Sequence, residues 1–306
     1  MTREPKQRLK IAVGIPSTGR PKILAATVPL IEQQNRLPDQ IVICTLKPSD
    51  TPENLEAGMS VPLLSLQSTS GLAKQRNDII RALPDFDILL FLDDDFLMAP
   101  NYIAEVEKLF LEHDDIVIST GNVLVDGIGT AGIQVKEGAS LLQALLDDPS
   151  SRPDLLKDVY NGYGCNMTLR LDVMRRNDIW FDENLPLYCW LEDVDLSRSL
   201  AKHGRIVKSN KQRGIHLGVK SGRTSGIKLG YSQIANPYYL ARKGTMAFSK
   251  AIAMASKNLI ANIFGSISPE AWIDRKGRLK GNGLALFDLL RGRISPSGVL
   301  DVEKAD

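Results

Sequence analysis

Read as apolar and polar positions, the chain opens with short apolar runs separated by mixed stretches. LKIAVGIP, Gln40–Thr45 (QIVICT), Pro62–Leu66 and Asp87–Leu92 are apolar at most positions, with no two-fold alternation. Runs of this length and pattern predict strands buried on both faces. Between them, Pro21 suits the first turn of a helix reaching about Gln34, and Ser70 suits the N-cap of a helix over Gly71–Leu83. This alternation predicts an α/β fold with a mainly parallel mixed sheet flanked by helices. Ligands of such sheets sit beyond the carboxyl ends of the strands. The tips after Ile15, Thr45, Leu66 and Leu92 are therefore where chemistry is expected.

Farther along, the pattern predicts a helix over Asn101–Glu112, a strand over Ile116–Val125 and a helix over Leu191–His203 that stops at Gly204. Between Gly214 and Gly230 a glycine recurs at every fourth position, with Lys220, Arg223 and Lys228 among them. That spacing is read as a mobile basic loop that closes over a ligand. A long helix is expected from Asn236, with Pro237 in its first turn, to about Phe264. A basic amphipathic segment follows over Trp272–Arg293. The resulting division is a domain over 1–232, with halves at about 1–98 and 99–232, and a helical C-terminal extension over 233–306.

Composition narrows the class. With 38 basic and 36 acidic residues the formal charge is +2, which gives no bulk attraction for nucleic acid. Cys44, Cys165 and Cys189 are odd in number and widely spaced, so they read as reduced, buried thiols. The first apolar stretch, Ile11–Ile15, is too short for a secretory leader. Met246–Ile267 is broken by Lys250, Lys257 and two asparagines, a poor membrane span. The expectation is a cytoplasmic protein, soluble or peripheral on the inner face of a membrane, with the basic Asp274–Arg293 segment and its leucines as the contact.

Three constellations carry chemistry. Asp93-Asp94-Asp95 follows a strand directly. Adjacent carboxylates repel one another unless a cation or basic groups neutralise them, and hard divalent ions take oxygen ligands. The bland alternative is a solvated acidic turn before the next helix. Glu192, Asp193 and Asp195 fall in a first helical turn, where acids favour the dipole, though one could equally serve as a general base. His216 lies among glycines and reads as a surface residue, or as the nitrogen ligand completing an O,O,N metal site.

In this order, over about Ile11–His216, these pieces resemble the inverting glycosyltransferases of the GT-A fold, specifically family 2. The matching blocks are VGIPSTGRPKIL, GLAKQRNDII, LLFLDDDFLMAP, GCNMTLRLDVM and FDENLPLYCWLEDVDLSRSLAKHG. The resemblance implies that Asp93 and Asp95 hold Mn²⁺ or Mg²⁺ on a nucleotide-sugar donor, with His216 as third ligand. It implies that Pro16, Ser17, Thr18, Arg20, Lys74 and Arg76 line the nucleotide pocket and that Asp94 contacts the ribose. Asp193 would be the catalytic base, with Trp190 and Glu192 positioning the acceptor. The implied reaction is hexosyl transfer, with UDP the expected nucleotide, to a glycan or lipid-linked glycan in bacterial polysaccharide biosynthesis. One departure concerns the end of the second strand, where the family usually carries an acidic pair and this chain has Cys44-Thr45-Leu46-Lys47. Two rivals remain: a sugar nucleotidyltransferase, which would carry a glycine-rich loop with a lysine after the first strand, and a non-catalytic nucleotide- or carbohydrate-binding relative.

Overall fold

The computed structural model of the chain describes residues 8–69, 71–148, 155–188, 190–222 and 224–302. Ser70, Cys189 and Arg223, named above as a cap, a thiol and a basic residue of the expected loop, lie outside the described residues. In chain order the elements are β1 (Ile11–Pro16), α1 (Pro21–Thr27), β2 (Gln40–Thr45), β3 (Leu63–Gln67), α2 (Leu72–Arg81), β4 (Ile88–Leu92), β5 (Phe96–Met98), α3 (Tyr102–Glu112) and β6 (Ile116–Asp126). Then come α4 (Val135–Leu146), β7 (Leu156–Asp158), β8 (Asn166–Arg170), α5 (Leu171–Arg176), α6 (Glu192–Leu200), β9 (Arg205–His216), α7 (Gly226–Lys243), α8 (Phe248–Gly265) and α9 (Arg275–Leu290).

The chain divides into two units. A sheet unit comprises Met1–Thr69, Gln75–Trp180 and Leu200–Gly222, and a helical unit comprises Ser70–Lys74, Phe181–Ser199 and Arg223–Asp306.

The sheet unit holds one nine-stranded sheet in the order β3-β2-β1-β4-β8-β6-β9-β5, with β7 added on β9. β3, β2, β1 and β4 are parallel, and β8 enters antiparallel between β4 and β6. The uninterrupted apolar runs explain this: Ile11, Val13, Ile41, Ile43, Ile88 and Leu90 are fully buried in one core cluster. Chain order reverses beside β1, because β2 lies on one side and β4 on the other. A ligand crevice is expected at such a switch point, and here it opens beyond Pro16 and Leu92.

In the helical unit, the helix expected from Asn236 to Phe264 is two helices. Ser225 caps α7 by accepting from the Lys228 N–H, so α7 begins ten residues earlier and Pro237 lies inside it. It stops at Gly244, whose φ of 88° is left-handed. The predicted mobile loop over 214–230 is likewise three different structures. Gly214 belongs to β9, Gly218 makes a left-handed turn at φ 67°, and Gly226 and Gly230 belong to α7. A Cβ at Gly230 would overlap the Arg278 backbone, and one at Gly281 would overlap the Ile227 carbonyl. The four-residue glycine spacing there brings α7 and α9 into backbone contact.

Between α7, α8 and α9 lies a buried amide network. Asn262 Nδ2 donates to Gln233 Oε1 (2.7 Å) and Asn282 Oδ1 (2.8 Å), Asn282 Nδ2 donates to the Gly230 carbonyl (2.7 Å), and Gln233 Nε2 donates to Asn258 Oδ1 (3.2 Å). A smaller apolar cluster, with Tyr231, Ile234, Ala285 and Val299 at its centre, completes this core.

Candidate metal and nucleotide site

The aspartate triplet follows β4, which is antiparallel to β8. Its backbone is held on both sides: the Asp93 N–H donates to the Cys165 carbonyl, and the Phe96 N–H returns to the Asp93 carbonyl. β5 then starts at Phe96 and pairs with β9, registering Phe96 against His216. On its other side β9 registers His216 against Asp126 of β6. His216 is therefore the buried last residue of a strand, clamped between two neighbours, and belongs to no mobile loop. The following segment is tied to the same aspartate. The Leu217 N–H donates to the Asp95 carbonyl, and the Val219 N–H donates to Asp95 Oδ2 (2.7 Å).

Asp93, Asp95 and His216 each turn one ligand atom into a common space, all within 4.8 Å of one another. His216 Nε2 is 3.3 Å from Asp95 Oδ1 and 3.7 Å from Asp93 Oδ2. Asp95 Oδ1 is buried and has no hydrogen-bond partner, so one carboxylate lone pair faces this space unsatisfied. Burial opposes a charge on His216, but its hydrogen bond to Asp126 and the carboxylates of Asp95 and Asp93 push its pKa up to about 10. Burial likewise works against a charged Asp95, yet His216, Arg20 and the Val219 N–H hold it below the ordinary carboxylate range. The cluster thus draws positive charge into its centre. Two carboxylate oxygens and an imidazole nitrogen at this spacing fit a divalent cation.

The opposite nitrogen, His216 Nδ1, is 2.9 Å from Asp126 Oδ1, and the Tyr163 hydroxyl donates to Asp126 Oδ2 (2.9 Å). A carboxylate behind a ligating imidazole fixes its tautomer and orientation. Sequence reasoning missed both residues. Asp126 precedes a glycine and looks like an ordinary turn, and only the pairing of β6 with β9 sets it beside His216.

Asp94 turns the other way. Ser17 Oγ donates to its Oδ2 (2.5 Å) and Arg20 Nη1 to its Oδ1 (2.8 Å), while burial pushes its carboxyl up to about 6. Both oxygens are committed to the loop after β1, and Thr27 Oγ1 binds the Asp94 carbonyl (2.8 Å). Arg20 also donates to the carbonyls of Ser221 (2.7 Å) and Val219 (3.3 Å), so one guanidinium joins the triplet to the segment after β9. Pro16 and Ser17 are buried at the end of β1, and Thr18 is exposed. Arg76, only 1% exposed, donates to the Gly164 carbonyl (3.1 Å), stacks on Phe91 at 5.5 Å and lies 4.0 Å from Asp93. Gln75, also unanticipated, ties the carbonyls of Ser17 (3.0 Å) and Cys44 (2.7 Å) together. Lys74 lies half-buried in the first turn of α2. Lys220, one of the basic residues of the expected loop, here donates to the carbonyls of Gly127 (3.3 Å) and Ile128 (2.8 Å).

In the helical unit, Glu192, Asp193 and Asp195 open α6 as predicted. They differ in burial: Glu192 and Asp195 are buried and Asp193 is half-buried. Asp195 is structural, accepting from Lys243 (2.7 Å) and Thr245 (2.6 Å). Leu187 and Leu191 have left-handed backbone at φ 58° and 80°, conformations costly for branched side chains. They bracket Trp190, whose carbonyl accepts from Asn236 Nδ2 (2.8 Å).

No family model and no curated protein matches the sequence. Solved structures do match its fold. The mannosyltransferase PcManGT from Pyrobaculum calidifontis, in complex with GDP-Man and Mn²⁺, aligns over 99% of this chain and 88% of its own at a TM-score of 0.55 and 14% identity. The fold is GT-A. GalNAc-T7 with UDP, GalNAc and Mn²⁺ aligns over 97% of this chain but 57% of its own, at a TM-score of 0.56 and 14% identity. S. aureus TarS 1–349 in complex with UDP aligns over 97% and 92%, at 0.54 and 13%.

Proposed function

We propose that this chain is a metal-dependent glycosyltransferase that takes a hexose from a nucleoside diphosphate sugar. The observation carrying this reading is the Asp93–Asp95–His216 cluster at the sheet's switch point, with one buried Asp95 oxygen left without a partner. That the GT-A neighbours hold GDP-Man, UDP and Mn²⁺ supports it. A bound Mn²⁺ or Mg²⁺ would stabilise the negative charge developing on the departing diphosphate.

Asp93, Asp95 and His216 hold the ion in this proposal. The loop of Pro16, Ser17, Thr18 and Arg20 receives the nucleotide, with Arg76 and Lys74 supplying positive charge from α2. Asp94 organises that loop through Ser17 and Arg20, and reaches a ribose when the nucleotide replaces one of those bonds. Asp193 is the base: of the three acids opening α6 it is the one not buried. It removes the acceptor hydroxyl proton as that oxygen displaces the nucleoside diphosphate, inverting the anomeric carbon in one step. Trp190 and Glu192 position the acceptor, a glycan or lipid-linked glycan.

Titration with UDP and GDP, with and without Mn²⁺, tests the reading. Diphosphate binding that requires the metal is expected, and Asp95→Ala should weaken it at least about a hundredfold without unfolding the chain. Preference for a nucleoside triphosphate would favour nucleotidyl transfer instead. Asp193→Asn should lower transfer at least about a hundredfold while donor binding holds. An inactive Glu192→Gln beside an active Asp193→Asn would assign the base to Glu192.

A further inference from the structure

α8 is built inside out. Asn258, Asn262, Ala251 and Ala255 face the amide network and the helical unit's core. Phe248, Ile252, Ile260, Ile263 and Phe264 are exposed, as is Ile267 just beyond the helix. At 100° per residue the exposed set falls within an arc of about 160°, opposite the amides, with Lys250 and Lys257 along one margin. Phe264 is 68% and Ile267 79% exposed, and Leu290 in α9 is 86% exposed. The two asparagines that interrupt the apolar run in the sequence are thus the residues that turn inward, and the outer face keeps its phenylalanines and isoleucines with Ser249 and Ser256 between them.

The charge around this face has one sign. Residues 242–293 carry ten basic and three acidic side chains, +7, whereas the other residues carry 28 against 33. α8 has no acidic residue at all. The three acids nearby are engaged locally: Glu270 with Arg275, Asp274 as the cap accepting from the Gly277 N–H, and Asp288 with the Tyr231 hydroxyl. A second copy seated on this face about a two-fold axis would set the Lys250 and Lys257 margin against basic residues of its mate, with no acidic residue on α8 to meet them, which disfavours self-association. An anionic surface with an apolar interior complements both features. Small residues at the helix contacts and amides bonded between helices, with apolar side chains outward, are also the packing that helices use beside lipid.

We propose that α8, with Ile267 and Leu290, docks this chain on the surface of an anionic lipid bilayer. The helix lies in the interface, its phenylalanines and isoleucines among the acyl chains and its basic margin at the headgroups. No helix of the described residues is long and apolar enough to cross a membrane, so docking is parallel to the surface. This refines the sequence expectation, which put the contact on the leucines of the 274–293 segment. Of the apolar residues there, Leu284 and Leu286 pack on the helical unit's own core, Leu289 is half-buried, and Phe287 and Leu290 are exposed. The proposal does not rest on the transferase reading.

Vesicle co-sedimentation of the full chain tests it without any activity assay. With vesicles of phosphatidylcholine containing about one third phosphatidylglycerol, the chain should pellet at low salt and be released as salt rises. It should stay in the supernatant with phosphatidylcholine alone. The triple variant Phe264→Ser, Ile267→Ser, Leu290→Ser alters only exposed positions and no charge, and should lower partitioning at least about tenfold while its circular dichroism is unchanged. Lys250→Glu with Lys257→Glu should do the same. Absence of binding to the anionic vesicles overturns the proposal, and so does unchanged binding by the serine variant. Concentration-dependent dimerisation abolished by those serines would assign the face to a second copy.

Discussion

The sheet unit and the helical unit solve the core problem in opposite ways. In the first, isoleucine, leucine and valine fill the interior, and buried polar side chains, such as Ser119 with Gln212 and Thr120 with Asn166, form isolated pairs beside the strand-end cluster of Asp93, Asp95 and His216. In the second, amides of Gln233, Asn262 and Asn282 sit at the centre while Phe248, Phe264, Ile267 and Leu290 face outward. Apolar burial is non-directional and tolerant, whereas a buried amide must find its partners or cost the desolvation of each unpaired group.

The contrast can be broken most strongly in the sheet core. Leu90→Ala removes a fully buried side chain and should cost about 2–5 kcal/mol in urea unfolding. A cost below that of Asn282→Ala in the helical core would mean that the sheet core is not the more tightly apolar one.

Next in size is Asp126→Asn, which leaves a polar partner at His216 but takes away its charge. Mn²⁺ affinity read by electron paramagnetic resonance should fall about 10–100-fold, with thermal stability little changed. Equal affinity would mean that Asp126 serves only the turn after β6.

In the helical core, Asn282→Ala strips partners from Asn262 and from the Gly230 carbonyl. We expect a loss of about 1–3 kcal/mol, focused on α7–α9 in hydrogen exchange. Unaltered protection there would show that the network contributes nothing to holding those helices.

A smaller, pH-dependent effect attaches to Asp182. Burial opposes its charge, but Lys243, the Asn184 N–H and Tyr239 hold its carboxyl below the ordinary 3.8. A depressed carboxyl contributes stability that is complete above its unfolded pKa and lost as pH falls through the folded value. Asp182→Asn should therefore cost about 1 kcal/mol at pH 7, after screening of the part-exposed Lys243, and progressively less below pH 3.8. A gap from wild type that stays constant with pH removes the ion pair as its cause.

Smallest of all should be Phe264→Ser, within about 0.5 kcal/mol of wild type in unfolding, because the side chain is already in solvent. A large loss would mean that Phe264 belongs to the core after all.

Legibility in the sequence followed the same divide. The four parallel strands, the helix before the aspartate triplet and the placement of Glu192–Asp195 in a first turn were readable, because a doubly buried strand needs an unbroken apolar run and helix caps act locally. The helical unit was less so. Glycines 226 and 230 resemble a flexible loop in composition, and the close helix contact of Gly230 exists only once the Arg278 backbone lies against it and Gly281 lies against Ile227. Pro237 was read as a start because prolines favour first turns, yet α7 begins with a serine cap and continues through the proline.

By itself the sequence determined the strands β1 to β4 and β6, that acids cluster after β4, and that α6 opens with three more. These follow from local periodicity and from residues adjacent in the chain. β5, β7, β8 and β9 carry no comparable apolar run and emerged only in the sheet. Only the tertiary structure decided which carboxylates act together. Asp94 turned towards Ser17 and Arg20, Asp93 and Asp95 turned to His216, and Asp126, 90 positions from His216, became its partner. It also decided which face of α8 is covered. An amide and an isoleucine on one helix carry no mark of inside or outside until neighbouring helices offer partners to one and leave the other bare.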